Sequence, residues 1–213
     1  LKKKLKFVFL PDKLDPEEFI DKHGLDEFET DERAVLDFRG GEDAGISWMK
    51  EWIWDRDCLK IYKETRNGMV GSDYSSKLSP WLSSGSLSAV QVYWEIKKYE
   101  EERVANESTY WLFFELLWRE FFRFVSRLNG PKLFWRSGIK EVDDIRPRGD
   151  PKTLQRWKEG RTANAFVNAN MIELARTGWM SNRGRQNVAS YLIHDLGHDW
   201  LAGAKHFKNL LID

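Results

Sequence analysis

From residue 88 onward the apolar positions fall at spacings of three and four, the period of helices that bury one face. Val92, Ile96 and Tyr99 form one stripe of a helix predicted over 88–105, with Lys97, Glu101 and Arg103 largely outside it. Ser108 or Thr109 is placed to cap a long apolar helix over 110–128, which Gly130 and Pro131 end. Asp150 and Pro151 start a helix over 152–159 that Gly160 closes, and 165–177 reads as another before Gly178. Ser181 caps a helix running to Leu196, and Asp199 begins a last one still running where the sequence stops. Upstream, KFVFL, closed by Pro11, is the one extended run. Asp15 with Pro16 opens a short helix that Gly24 closes, Thr30 can cap a turn through Ala34 and Val35, and 46–54 carries apolar residues at mixed helical spacings. Between 62 and 85 the pattern breaks into TRNGMVGSDYSSKLSPWLSSGS, whose Gly, Ser and Asn predict an ordered loop with short turns. The class is all-α: a helical domain over 38–213, with an extension and linker helices over 1–37 and no internal repeat.

Composition changes this picture little. The 213 residues, 41% hydrophobic and 14% aromatic, suffice for one buried core. Thirty-four basic and 34 acidic side chains cancel, so no global field draws the chain to nucleic acid or an anionic membrane. Locally, residues 119–161 hold twelve Lys or Arg against six Asp or Glu, while 15–43 is predominantly acidic. The single cysteine, Cys58, rules out an internal disulfide and fits a reducing intracellular compartment, with chloroplast, mitochondrion and nucleus all open. The apolar runs, such as 110–114, are too short to span a bilayer, and the start lacks the apolar stretch of a secretory signal. The chain does not open with Met, which points to a processed form or a part of a longer gene product. Eleven Trp residues suit either a core or a stack against an aromatic cofactor or base.

Three stretches could carry chemistry. In WMSNRGRQ, over 179–186, Ser181 caps a helix whose first N–H groups point outward, and Asn182, Arg183 and Arg185 add donors around them. This suits an anion, although a plain exposed helix start with salt-bridged arginines has the same composition. Ser75, Ser76, Lys77, Leu78 and Ser79 crowd hydroxyls and backbone amides into a loop suited to phosphate oxygens, or into an ordinary polar turn. In WLFFELLWREFFRF, Glu115, Trp118, Arg119 and Phe122 share a helix face, so Glu115 and Arg119 can form an i,i+4 pair, partly buried among apolar neighbours. His194 and His198 stand at i,i+4 with His206 further on, but no third ligand is evident; they read as surface histidines, and no metal is expected.

TRNGMVGSDYSSKLSPWL, ERVANESTYWLFFELLWREFFRF and WMSNRGRQNVASYLIHDLGHDWLAGAKHF, in this order, resemble the C-terminal helical FAD-binding domain of photolyases and cryptochromes. The ERVAN and STYW blocks point to the cryptochrome-DASH branch, and the likeness covers 38–213. It implies FAD, folded back on itself. Tyr62 and the loop of Ser75, Ser76, Lys77, Leu78 and Ser79 would hold the pyrophosphate and ribityl chain. Arg119, Trp179, Asn182 and Arg185 would lie on the flavin side, with Arg185 pairing Asp213. Glu115 would contact adenine or a damaged thymine at the floor of a DNA pocket walled by Trp118, and Arg183 and Gln186 would face DNA. Glu115, Trp118 and Asn182 are the residues expected at the chemistry, and Trp157 and Trp200 match members of a tryptophan chain that reduces the flavin. The implied reaction is blue-light-driven electron transfer from reduced flavin to a pyrimidine dimer flipped out of single-stranded DNA, or a sensing role.

The departures from the family pattern are specific. Its Gly-Lys-Thr-Gly-Tyr-Pro segment appears as GRTANAFVNANM, with Ala163, Asn164 and Ala165 replacing Gly, Tyr and Pro and Asn168 replacing an acid. Family members carry an N-terminal antenna domain and continue past LLID with further helices; without that domain, no antenna chromophore is expected. Two other readings stay open: a non-catalytic relative serving as a subunit or adaptor for protein partners, and a nucleic-acid module with Arg123, Arg127, Lys132, Arg136 and Arg148 as its basic edge.

Overall fold

The computed structural model of the chain describes Glu18, Asp21, Lys22 and residues 31–142 and 149–213. KFVFL, Thr30, Arg148 and the bounds of the short helix expected after Asp15 lie outside the described residues, although Glu18, Asp21 and Lys22 are helical. The chain divides into two compact units, Leu1–Asp31 and Glu32–Asp213, and all elements below belong to the second.

Among the described residues of this unit, nine α-helices follow one another: α1 (Glu42–Lys50), α2 (Tyr62–Thr65), α3 (Ser79–Ser84), α4 (Ala89–Glu102), α5 (Glu107–Asn129), α6 (Pro151–Lys158), α7 (Ala165–Thr177), α8 (Asn182–Ser190) and α9 (Trp200–Leu210). Among the described residues there is no strand. α1 and α8 each run on into a π-helical turn, Glu51–Asp55 and Tyr191–Asp195, and these turns carry the buried Trp52, Ile53 and Leu192 inward. No described helix is long and apolar enough to cross a membrane.

Side-chain caps set most helix starts. Ser88 and Gln91 form a reciprocal capping box at α4, Asp150 caps α6, Ser181 caps α8 and Asp199 caps α9. At α5 the cap is Asn106, not Ser108 or Thr109: its Oδ1 accepts from both of their backbone N–H groups, and Thr109 Oγ1 accepts from the Asn106 N–H in return. Within the stretch expected as loop, Pro80 in the first turn and Gly85 in the left-handed region after the last frame the short helix α3. α9 stops at Leu210 instead of running on, because the chain turns extended at Leu211 and Ile212 N–H donates to Gly178 O at 3.1 Å. Gly178, at φ 68, leaves the room: a Cβ there would meet Ile212 at 2.7 Å.

Two hydrophobic clusters result. The first packs Trp48, Trp52, Ile53, Leu59 and Trp81 against Val92, Ile96 and Tyr99 of α4 and Leu112 and Leu116 of α5. The second gathers Trp157, Val167, Met171, Leu174, Met180, Val188 and Leu192 from α6 to α8 and the turn after it. Gly184 lets α8 sit close on α7, since a Cβ there would lie 2.1 Å from Asn170 Oδ1. That requirement explains the glycine between Arg183 and Arg185. Of the histidines read as surface groups, His194 is exposed, whereas His198 is 8% exposed and bonds Thr153 Oγ1 at 2.8 Å, and His206 packs on Trp157 with its Nε2 buried.

The α5 cap gives a direct check on this fold. Asn106→Ala removes both capping bonds and the Asn106 Nδ2 bond to Lys60 O, so urea unfolding is expected to show a loss of about 1–2 kcal/mol. An unchanged midpoint would mean that α5 starts without this cap.

Candidate functional site at the seam of the two clusters

Residues 72–78 form irregular backbone that needs external support. Trp48 Nε1 donates to Ser76 O at 2.7 Å, and Trp52 Nε1 donates to Asp73 O at 3.1 Å. Arg56 clasps the other side through Ser72 Oγ and Asp73 Oδ1, at 2.8 and 2.7 Å. Part of the tryptophan excess thus staples a loop as well as filling the core. Inside the loop Lys77 takes φ 50 and tucks its ammonium beneath the backbone, where burial pulls its pKa down to about 8.

The second wall is the face of α5 bearing Leu112, Glu115, Leu116 and Arg119. The i,i+4 pair expected there does not form. Glu115 binds Arg66 at 2.7 Å, with Arg66 stacked 4.6 Å from the Trp111 ring centroid, while Arg119 pairs with Glu120 and donates to Leu82 O at 2.9 Å. Each partner has a nearer counterpart on another element or on the next residue. Below them Tyr62 is buried, and burial, followed by the charge of Glu115, pushes its phenol well above the ordinary range, so it stays a neutral hydroxyl.

The start of α8 supplies the third wall. Ser181 Oγ accepts from Gly184 N at 3.0 Å, which leaves Asn182 and Arg185 to line the opening. Arg185 donates to Met180 O, lies 5.5 Å from the Trp179 ring centroid and makes a bidentate pair with Asp213 at 2.9 Å on both arms. Asp213 Oδ2 also accepts from Ser79 Oγ at 2.6 Å, so one carboxylate joins the loop, α8 and residues 211–213.

These walls enclose a cavity of about 290 Å³ between the two hydrophobic clusters. All the residues expected on the cofactor side line it: Tyr62, Ser75, Ser76, Lys77, Leu78, Ser79, Arg119, Trp179, Asn182, Arg185 and Asp213, with Glu115 beside them. Leu82, Leu112, Leu116 and Met180, which sequence reasoning missed, supply its apolar surface. The spacing of Leu112 and Leu116 to Glu115 and Arg119 on one helix face was the available signal. A larger concavity of about 710 Å³ lies across Leu82, Leu116 and Arg119, but its walls come from the α3 to α4 region and α5 alone.

The remaining candidates lie elsewhere. Trp118 is 43% exposed and stacks on Phe122, centroids 5.7 Å apart. Arg183 reaches Asn67 Oδ1 at 2.8 Å and Gln186 Oε1 at 3.1 Å on the exposed side of α8. Trp157 is fully buried and donates to Val188 O, and Trp200 donates to Arg136 O; neither lines the cavity. Ala163, Asn164, Ala165 and Asn168 do not line it either, because Asn168 turns its amide to Thr162 and Asn164 caps α7. On the supposed basic edge Arg123, Lys132 and Arg136 are paired with Glu120, Glu141 and Asp199. Among the described residues no group of His, Cys, Asp and Glu could hold a metal ion.

Among the described residues the cavity offers hydroxyls, cations and flat apolar walls, the equipment of a binding site. Residues 111–213 match the FAD binding domain of DNA photolyase. The chain is 50% identical over 190 residues to a cryptochrome DASH of Gloeobacter violaceus, covering 89% of this chain and 38% of that protein. It belongs to the photolyase and cryptochrome family. A rice cryptochrome DASH, chloroplastic/mitochondrial by name, is 49% identical over 178 residues, 84% of this chain and 30% of that one. A crystal structure of a Synechocystis cryptochrome superposes with a TM-score of 0.88 at 51% identity, covering 96% of this chain and 41% of that one. The chain thus spans 30% to 41% of the length of these photolyase and cryptochrome relatives.

The Asp213 bridge is the part of this cavity most open to direct measurement. Asp213→Asn removes the charge opposite a guanidinium only 25% exposed, and is expected to cost about 1–3 kcal/mol in urea unfolding. A cost near zero would show that the bridge does not hold these segments together.

Proposed function

We propose that this chain is the flavin-binding part of a cryptochrome-DASH-type protein that performs blue-light-driven electron transfer on pyrimidine dimers in single-stranded DNA. The supporting observation is that segments around 62, 75–79, 115–119, 179–185 and 213, far apart in sequence, all line one cavity. The donor set fits FAD. Ser75, Ser76, Ser79 and Lys77 suit a diphosphate, Leu82, Leu112, Leu116 and Met180 suit flat rings, and Trp179 Nε1 is buried with no hydrogen-bond partner among the described residues. At about 290 Å³ the cavity lies at the lower edge of ligand pockets, roughly 300–1,000 Å³, so these walls hold part of a dinucleotide.

FAD, when bound and reduced, supplies the light-excited electron donor. The chain's residues bind and orient. Arg185, fixed by Asp213, keeps a positive charge beside the cavity while its own carboxylate partner limits how far it can swing. Asn182 presents a neutral amide to the same space, and Tyr62 a hydroxyl that does not ionise near neutral pH. Trp118, exposed and flanked by Phe114, Phe121 and Phe122, is a stacking surface for an unpaired base, with Arg183 and Gln186 on the exposed side of α8 for the backbone. In this reading Trp157 and Trp200 carry electrons inward through the second cluster and α9. The rice relative's name supports an organellar setting.

A subunit or adaptor role is favoured by a different observation. Phe121, Phe122, Phe124 and Leu128 leave α5 with an exposed apolar strip. The two readings separate on flavin. The purified protein is expected to bind FAD at one per chain with flavin absorption bands, and Arg185→Ala, folded by circular dichroism, is expected to lose at least tenfold in affinity. A folded, colourless protein that does not take up added FAD would overturn the flavin reading and leave the adaptor.

A further inference from the structure

Lys77 is 2% exposed, yet its described partners carry no charge: the Ser72 carbonyl at 2.8 Å, the Ser75 hydroxyl at 3.5 Å and the face of Tyr74, 3.5 Å from the ring centroid. Every other lysine or arginine lining the cavity is ion-paired, Arg119 with Glu120 and Arg185 with Asp213. A buried ammonium without a carboxylate is costly, and the usual remedies are a counter-ion or loss of the proton. The backbone adds to the cost, because φ 50 is a left-handed conformation that a lysine rarely adopts. Leu78 beside it does the apolar packing. The cavity has a use for the charge.

We propose that Lys77 is a stored charge: an ammonium kept under the hydroxyl loop without a carboxylate so that a bound diphosphate becomes its counter-ion, with binding coupled to the uptake of a proton. The inference rests on the flavin reading of this site and adds its regulation by pH. The groups facing Lys77 are Asp73 and Tyr74 of the loop, Arg56 and Cys58 from the segment after α1, and Glu173 of α7. Asp73 is itself engaged by Ser72 and Arg56, and among the described residues neither it nor Glu173 forms an ion pair with the ammonium, although both favour its charge from a distance.

The sign follows from the depressed pKa. In the free protein the ammonium loses its proton near pH 8, against 10.5 for the ordinary side chain. A dianionic diphosphate brought beside it raises that value again, so binding near pH 8 draws a proton onto Lys77 and affinity falls as the pH rises through 8. For the fold the effect is opposite. The contribution of Lys77 to stability is complete above pH 10.5 and is lost as the pH falls through about 8, so at neutral pH the stored charge weakens the fold.

Lys77→Met keeps the length and the strained backbone and removes the charge. At pH 7 it is expected to melt about 2–4 °C above the unmodified protein, with the gap closing toward pH 10, and to bind FAD about tenfold to a hundredfold more weakly. Calorimetry of FAD binding to the unmodified protein at pH 8, in buffers of different ionisation heat, is expected to show proton uptake that Lys77→Met lacks. This second measurement needs no variant to fold. FAD binding without proton uptake, or with equal affinity in the two proteins, would overturn the stored charge and leave the flavin reading standing. Failure of both folded proteins to bind FAD would overturn that reading and the inference with it.

Discussion

Asp213 accepts two hydrogen bonds from Arg185 and one from Ser79, and through them three segments that share no regular structure are held in one place. Residues 72–79 have little helix of their own, the start of α8 is a single turn past a cap, and 211–213 have left α9. Ordering such backbone costs roughly 1–2 kcal/mol per residue, which local contacts among Ser and Gly cannot offset. A bidentate, charge-assisted pair with a third donor is the strongest polar link available, and burial of Asp213 to 7% exposure keeps water from competing. The cavity is therefore as well defined as this one bridge.

The rest of the architecture serves the same end. The two hydrophobic clusters are formed by different stretches of chain, and the cavity takes Leu78, Leu82, Leu112 and Leu116 from one and Met180 from the other. Trp48 and Trp52 are anchored in the first cluster and reach out with their indole N–H groups to hold the loop, so core packing is converted into loop position. Gly184 and Gly178 remove side chains where α8 meets α7 and where 211–213 crosses the end of α7. Where the chain spends stability instead of gaining it, at the uncompensated ammonium of Lys77, it does so at the cavity wall. Strain gathered at one functional site and supported by packing elsewhere is the expected pattern.

Much of this was legible in the chain. Helices α4, α6, α7 and α8 carry their own caps, glycines follow the ends of α6 and α7, and the stripe Val92, Ile96 and Tyr99 is buried as its period requires. The cavity was legible through matched blocks, since no local rule places Ser79 against Asp213 across 134 residues. Other features escaped for identifiable reasons. Asn106 outcompeted Ser108 and Thr109 as a cap because its longer amide reaches two N–H groups at once. Glu115 took Arg66 instead of Arg119 because a cation stacked on Trp111 arrives from another element, which helix spacing cannot foresee. His198 and His206 looked like surface groups because sequence does not show that Thr153 and Trp157 of α6 would face them.

Hydrogen exchange with and without FAD tests the convergence of these elements most directly, because it reads every segment in one experiment. The amides of 75–79, 182–186 and 211–213 are expected to slow together on binding, while the exposed apolar end of α5 around Phe124 and Leu128 stays unchanged. Protection confined to one of the three segments, or appearing instead at the α5 strip, would contradict the single cavity on which the functional account stands.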